Sequence, residues 1–439
     1  MWQWWPDDGS YDQLPDAPFK QERSSARPSS RASRFPWGPT CWKTSPMTPL
    51  ALRELFPALK TWTWLNAAAS SPTPQPVLDA MTAHLRETAE RGDLSYPKWA
   101  AFKDQVRARL ARFLGASADE VAFTPSTSFG FHVIAQLLKA RGVEEVLTLE
   151  AEFPSTTLPL LYDGLTLRGV RARPDGRFTV EDMEAALTPR TKAVAVSVVQ
   201  FASGFRVDLD GVSRLCREKG LTLCLNAAQG LGQAPVDVKR LGATFLAATS
   251  HKWLMAGYGV GVLYVAKDWL DAAPLPFGGW LSVEPQEQFD AWSHAQRQDD
   301  AQGFTARGTR FRRQASALEA GGGAWVGLHG VDAALGLHEA LGVQHTLTHN
   351  IALQLHLREG LRRRGFSPNT PDEPASLSGI CVIPVQGAPQ EVVRAFIKDA
   401  SVVTTARGGG LRISTHAYNT EEDVERLLAA VDRLGVRPR

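Results

Sequence analysis

Short apolar runs alternate with amphipathic stretches along the chain from about Pro49 onward. Continuous apolar runs are typical of strands that are buried on both faces, whereas apolar residues three and four positions apart are typical of helices. Strands that alternate with helices predict a mainly parallel sheet covered by helices on both faces. The predicted strands are 120–125, 145–153, 193–201, 221–226, 243–249 and 259–265.

Three of the intervening stretches carry the start and stop signals of helices. Residues 128–142 have apolar side chains at helical spacing and end at a glycine. Residues 179–189 begin with a threonine cap and an acidic first turn, and end before a proline. Residues 211–220 also end at a glycine, which is a common helix stop.

Polar or aromatic side chains follow several of the predicted strands. Thr127 and Ser128 follow the first strand, Phe153 ends the second, and Asn226 and Gln229 follow "LTLCL". In open α/β sheets, ligands bind at the carboxyl ends of the strands. We therefore expect these side chains to lie together in a site.

Composition narrows the class of protein. The chain has 439 residues, enough for about two or three domains. A formal net charge of +2 argues against binding nucleic acid through phosphate neutralisation. Without a long apolar run, no membrane span is expected. Four scattered cysteines, Cys41, Cys216, Cys224 and Cys381, suit a reducing cytoplasm and form neither a zinc pattern nor a disulfide framework.

The first 46 residues differ from the rest because they are rich in Pro, Ser, Arg and Trp and lack periodicity. We expect residues 1–46 to be a disordered or mis-annotated extension, with Met47 as the alternative natural start. A transit peptide is the less favoured interpretation, because acidic residues stand near the start.

Lys252 follows a predicted strand in "ATSHKWLMAGYGVGVLYV" and has an apolar context. A lone lysine of this kind usually extends its amine to the surface. The alternative is a desolvated amine with a lowered pKa, which is suited to forming a Schiff base with a carbonyl group.

Five motifs decide between these alternatives when they are taken together. The segment "LNAAQGLGQAPVDVKRLGATFLAATSHK" resembles the class V aminotransferase family of fold-type I pyridoxal-phosphate enzymes. The order of the other motifs is also similar to that family: "TWLNAAASSP" (63–72), "VAFTPSTSFGFHVIA" (121–135), "EFPS" (152–155) and "LRISTHAYNTEEDVERL" (411–427). The resemblance extends over roughly residues 50 to 430.

The resemblance implies a role for each matching residue around pyridoxal 5'-phosphate. Lys252 matches the Schiff-base lysine that moves the α-proton, and Arg412 matches the arginine that grips the substrate carboxylate. Asn66, in the opening motif, is expected at the substrate. The remaining residues would hold the cofactor: Thr127, Ser128 and Thr249 at its phosphate, Phe153 on its ring face, Gln229 at its phenolic oxygen, His251 beside it and Asn226 at its ring nitrogen.

Asn226 departs from the family pattern, which has an aspartate at this position. The carboxylate keeps the ring nitrogen protonated, and the cationic ring serves as the electron sink. An amide can form a hydrogen bond but adds no negative charge, so the ring should hold its proton less firmly. Activity could be weakened, or the chemistry could need less of a sink, or a neighbouring acid could take over the role.

Other departures bear on the reaction. The desulfurase branch carries a nucleophilic cysteine shortly before the arginine, whereas "FIKDASVVTTARGGGLRIS" has none, so sulfur abstraction is not expected. The pair that reaches a neighbouring subunit's phosphate could be Gly308 and Thr309 or Gln314 and Ala315. No metal site is expected, because the helical histidines 345, 349 and 356 lack an acidic or cysteine partner in register.

The resemblance implies an α/β fold of type I: a large domain with a mainly parallel seven-stranded sheet, plus a smaller α+β domain. The expected boundaries are 47–70 for the N-terminal segment of the small domain, 71–285 for the large cofactor-binding domain and 300–439 for the C-terminal small domain. The expected protein is a cytoplasmic homodimer that acts on a small-molecule amino substrate. Transamination is the first choice of reaction, epimerisation or elimination of an amino acid is the second, and a non-catalytic binding protein is the rival.

Overall fold

The computed structural model describes residues 47–272, 275–284, 311–319 and 321–439. The predicted extension of residues 1–46 lies outside these ranges, and so do Gly308 and Thr309. The described strands, in chain order, are β1 (Thr63–Trp64), β2 (Val121–Thr124), β3 (Glu145–Leu149), β4 (Thr166–Val170), β5 (Thr191–Ser197), β6 (Thr222–Asn226), β7 (Phe245–Thr249), β8 (Gly261–Val265), β9 (Ile380–Ile383), β10 (Val402–Val403), β11 (Thr405–Arg407) and β12 (Gly410–Ser414).

A seven-stranded sheet lies at the centre of the larger part of the fold, with the spatial order β2–β8–β7–β6–β5–β3–β4. Strand β8 pairs antiparallel with β2 and β7, and the other pairs are parallel. The predicted α/β fold with a mainly parallel seven-stranded sheet is therefore confirmed. Strand β4 was not predicted, because its side chains are mostly exposed at the sheet edge and the strand therefore lacks a continuous apolar run.

Helices cover both faces of this sheet because successive strand residues point to opposite sides. Leu223 and Leu225 of β6 pack into one core, whereas Cys224 packs into the other. The three helices predicted from their caps are α4, α6 and α7. The described helices are α1 (Pro49–Arg53), α2 (Gln75–Arg91), α3 (Tyr96–Leu114), α4 (Thr127–Ala140), α5 (Pro154–Tyr162), α6 (Val180–Ala185), α7 (Leu209–Lys219), α8 (Lys267–Ala272), α9 (Trp325–Leu341), α10 (Val343–Arg363), α11 (Pro389–Ala400) and α12 (Glu421–Arg433).

A second, smaller layer is built from the C-terminal part of the chain. Strands β11, β12 and β9 form an antiparallel sheet, and α10, α11 and α12 pack their apolar faces against it. The N-terminal segment joins this layer, because β1 pairs in parallel with β10 and the Ala68 N–H donates to Ser414 Oγ. The domain boundaries near residues 70 and 300 stay a prediction.

Within the described ranges, no helix is both long enough and apolar enough to cross a membrane.

Candidate functional site

Lys252 lies on a tight turn directly after β7. The Ser250 hydroxyl oxygen lies 2.7 Å from the carbonyl oxygens of both Gly257 and Val260, and this closes the turn. Met255 has a left-handed φ of 61° and donates its N–H to the Lys252 carbonyl. A non-glycine residue in this conformation needs support from its surroundings, and such strain is common at functional sites. The turn therefore fixes the backbone that carries the lysine.

The Lys252 amine lies inside the protein, in a pocket between the two layers. Its Nζ atom lies 5.4 Å from the centre of the Phe153 ring. Burial, together with the nearby Arg412 and Arg407 guanidinium groups, lowers the pKa of Lys252 to about 7. About half of the amine is then uncharged at neutral pH, and an uncharged amine is the nucleophilic form.

Arg412 extends into the same pocket from β12. One of its terminal nitrogens donates to the Phe201 carbonyl at 3.2 Å, whereas its buried Nε has no partner within the described ranges. Burial and Arg407 lower the pKa of Arg412 to about 9. No carboxylate of the described residues pairs with Arg412. A buried guanidinium in this state fits an anionic ligand that can accept two hydrogen bonds.

The N-terminus of α4 provides a second place for an anion. The Ser126 side chain caps the helix by accepting from the Phe129 N–H at 3.2 Å. The Thr127 hydroxyl is buried and has no partner within the described ranges, and Ser128 borders a cavity of about 390 Å³. Unpaired helix N–H groups and hydroxyls at such a terminus favour a phosphate.

A glycine brings α4 close to the central sheet. A Cβ atom at Gly130 would lie 2.8 Å from the Ala247 side chain on β7, which is closer than carbon atoms approach. The small residue thus lets the helix terminus settle beside the strand that carries Thr249.

Thr249 and His251 contact each other on either side of Ser250. The Thr249 hydroxyl lies 2.8 Å from His251 Nδ1, and the His251 ring stacks on Tyr258 with a centroid distance of 4.1 Å. Burial and the neighbouring Lys252 charge lower the pKa of His251 to about 4, so its ring is neutral at pH 7.

Asn226 is the last residue of β6, and both the nitrogen and the oxygen of its side chain form hydrogen bonds. Its nitrogen donates to the Thr156 hydroxyl at 2.7 Å, and its oxygen accepts from the Ala228 N–H at 2.9 Å. The oxygen retains a second lone pair for a further donor.

Gln229 and Asn66 each contact a residue from a distant part of the chain. Gln229 donates to the Ala68 carbonyl at 2.8 Å, and its side-chain oxygen accepts from the Trp253 indole at 2.7 Å. Asn66 is bridged to Ser414 of β12, and its buried Oδ1 has no partner within the described ranges. The N-terminal segment thus contacts both the large layer and the smaller layer.

Sequence analysis did not single out several residues that complete the site. Phe201 packs edge-on against Phe153 at 4.9 Å, Arg407 acts electrostatically on Lys252, and Glu152 and Thr156 lie behind Asn226. "EFPST" could have signalled the last two, because a glutamate at the end of an apolar run is uncommon in a core.

The three helical histidines contact other groups. The His349 ring lies 2.9 Å from the Asn419 carbonyl, and His356 lies 2.6 Å from Glu425. A search of the described ranges found no set of three or more His, Cys, Asp or Glu side chains arranged to hold a metal ion.

The fold has a mainly parallel sheet, a desolvated lysine and a helix terminus that suits an anion. These features are typical of the fold-type I pyridoxal-phosphate-dependent enzymes, and this chain is a member of that class. More specifically, the chain belongs to the class-V aminotransferase family, whose pattern matches residues 63–427. The family, the enzyme class and the cofactor predicted from the motifs are confirmed.

Relatives within this family are named for different reactions. A probable cysteine desulfurase of Methanothermobacter thermautotrophicus is 27% identical over 407 residues, covering 86% of this chain and 95% of the relative. Isopenicillin N epimerase of Amycolatopsis lactamdurans is 28% identical over 389 residues, covering 84% and 94%. The apo cysteine desulfurase of Thermococcus onnurineus has the same fold, with a TM-score of 0.77 at 24% identity, covering 89% of this chain and 98% of that one. The family therefore leaves the reaction open.

The residues present fit pyridoxal phosphate. The buried Thr127 hydroxyl and the α4 N-terminus suit its phosphate, and the Lys252 amine suits its aldehyde. The Phe153 ring lies close enough to the amine to cover a bound ring.

Proposed function

We propose that this chain is an aminotransferase that acts on a small-molecule amino acid. The observation that carries this proposal is a buried Arg412 guanidinium, without a carboxylate partner among the described residues, next to a Lys252 amine with a pKa of about 7. A substrate with both an amino and a carboxylate group would satisfy the two sites together.

The chain's residues would then have distinct tasks. When bound, pyridoxal phosphate supplies an electron sink for the electron pair that remains at the substrate α-carbon. Lys252 Nζ takes the α-proton and returns it, and Arg412 holds the carboxylate with Asn66 nearby. The other proposed contacts hold the cofactor through Thr127, Ser128, Phe153, Asn226, Gln229, Thr249 and His251.

Sulfur abstraction is disfavoured by the positions of the cysteines. The stretch between Cys381 and Arg412 contains none. Cys381 lies fully buried in β9, and burial raises its pKa, so its sulfur is not the exposed thiolate that such chemistry needs. Cys216 and Cys224 are buried in the central cores as well.

Epimerisation is the second candidate, because the Amycolatopsis relative is named for that reaction. The two can be separated with the cofactor-loaded protein and a panel of amino acids in D₂O. Transamination releases one 2-oxo acid per site without a second substrate, and converts the cofactor to its amine form. Epimerisation places deuterium at the α-carbon and inverts it, but releases no oxo acid.

The matched control is Lys252→Ala, which should show neither outcome. Protein that binds the cofactor but gives no oxo acid with any substrate would contradict the aminotransferase proposal. Protein that cannot be loaded would favour a non-catalytic binding protein.

We also propose that the chain is a homodimer in the cytoplasm. Exposed apolar side chains border the cavity next to the site, including Leu158 and Tyr162, and Tyr258 is exposed beside His251. The buried reduced cysteines suit a reducing compartment. Light scattering coupled to size-exclusion chromatography would test the dimer, since a monomer at micromolar concentration would contradict it.

A further inference from the structure

Three buried polar side chains form a line behind the site where a ring nitrogen is expected. Asn226, Thr156 and Glu152 have exposures of only 2%, 0% and 7%. Asn226 comes from the end of β6, whereas Thr156 and Glu152 flank the start of α5. The fold thus brings a carboxyl group close to the amide that stands in place of a carboxylate.

The direction of each hydrogen bond in this line is fixed. The Ala228 N–H can only donate, so the Asn226 atom that it contacts is the oxygen. The Asn226 nitrogen therefore faces Thr156 and donates to its hydroxyl at 2.7 Å. The Thr156 hydroxyl has its own proton left, and it lies near enough to Glu152, four positions earlier in the chain, to lower the pKa of that carboxyl group.

Glu152 is surrounded by hydrogen-bond donors. Its Oε1 atom accepts from the Ser197 N–H and from Gln200 Nε2, each at 2.7 Å, and its Oε2 accepts from the Ser197 hydroxyl. No Lys, Arg or His of the described ranges forms an ion pair with it. Burial raises the pKa of Glu152, whereas the hydrogen-bond donors around it act in the opposite direction and favour its ionised form. A nearby cation would stabilise the buried carboxylate.

We propose that Glu152 supplies, through Thr156 and Asn226, the negative charge that an aspartate at position 226 would supply directly to the cofactor's ring nitrogen. Each bond in the line polarises the next one, so the Asn226 oxygen becomes a stronger acceptor. Only a protonated ring nitrogen can donate to this oxygen. Glu152 and Thr156 are positioning residues that act through Asn226, and the inference rests on the proposed function.

The test measures the protonation of the ring nitrogen itself. The apoprotein is loaded with pyridoxal phosphate labelled with ¹⁵N in the ring, and the ¹⁵N chemical shift separates protonated from neutral nitrogen. The wild type should be predominantly protonated. Thr156→Val and Glu152→Gln should each lower the ratio of protonated to neutral ring about tenfold, which equals one pKa unit.

Two control variants separate this effect from simple packing. Thr156→Ser keeps the hydroxyl and should keep the wild-type shift. Thr157→Val makes the same chemical change one position along α5 and should also keep it. In an Asn226→Asp background, Thr156→Val should lose its effect, because the carboxylate then meets the ring directly.

The proposal is overturned if the wild-type nitrogen is neutral, or if Thr156→Val leaves the shift unchanged while borohydride still fixes the cofactor on Lys252. That second outcome leaves the proposed function intact, whereas protein that takes up no cofactor overturns both. If Glu152→Gln does not fold, the Thr156→Val and Thr156→Ser pair decides.

Discussion

Replacement of Arg412 by alanine should separate amino acids from plain amines as substrates. One terminal nitrogen of Arg412 is committed to the Phe201 carbonyl, which leaves Nε and the other terminal nitrogen for a carboxylate. Hydrogen bonds to charged groups contribute about 1.5–3 kcal/mol each, so two of them contribute roughly 3–6 kcal/mol. At 1.4 kcal/mol per tenfold, kcat/KM for an amino acid should fall by roughly 10² to 10⁴.

The assay compares an accepted amino acid with the amine that lacks its carboxylate. The amine should lose little in the Arg412→Ala variant, because it never used the guanidinium. Arg412→Lys keeps a positive charge but not the two-pronged geometry, so its kcat/KM with the amino acid should lie between the other two values. Thermal unfolding checks that both variants are folded. Equal losses for the amino acid and the amine would refute the assignment of Arg412 to the substrate carboxylate.

Three further predictions follow from the described contacts. The pKa of Lys252 lies near 7, well below the ordinary lysine value, and only the deprotonated amine attacks an aldehyde. The rate of cofactor loading, followed by absorbance, should therefore rise through pH 7 and level off above it. A rate that does not change with pH would contradict the assignment of Lys252. Asn226→Leu removes the side-chain oxygen that would accept from the ring nitrogen, so it should shift the absorbance of the bound cofactor and lower turnover, whereas an unchanged spectrum and rate would remove Asn226 from the ring nitrogen. Glu319 is buried and pairs with both Lys103 and Arg107, so Glu319→Ala should lower the free energy of unfolding in urea by about 3–5 kcal/mol. The control Glu87→Ala, which removes a partner of a largely exposed lysine, should cost less than about 1 kcal/mol; comparable losses would show that burial does not matter here.

Much of the fold could be predicted from the sequence because the central strands are buried on both faces. Six of the seven strands in the large sheet coincide with apolar runs in the sequence. Strand β4 could not be found this way, because its pairing with β3 is a tertiary contact and its edge position leaves Arg168 exposed to solvent. In the smaller layer, the short antiparallel strands β11 and β12 were not predicted.

The candidate site was predicted unevenly for a similar reason. Lys252, Asn226 and Arg412 stand in motifs that the sequence displays, and the fold brings Lys252 and Arg412 close enough to interact electrostatically. Their roles toward the cofactor and substrate stay predictions. Thr156 escaped notice because threonine is common in the first turn of a helix, and its contact with Asn226 spans 70 residues. Hydrogen bonds of that range depend on the finished fold rather than on local pattern.

The pairing of β1 with β10 means that the N-terminal segment reaches its final place only after the strands of the smaller layer have been synthesised. The Ala68 N–H bonds to a hydroxyl 346 positions later, and the Ala68 carbonyl accepts from Gln229 inside the pocket. At about 5–20 residues per second, the ribosome needs roughly 20–70 s to deliver that distant partner. A nascent chain therefore has an unfinished cofactor-binding cleft until these distant residues have been synthesised.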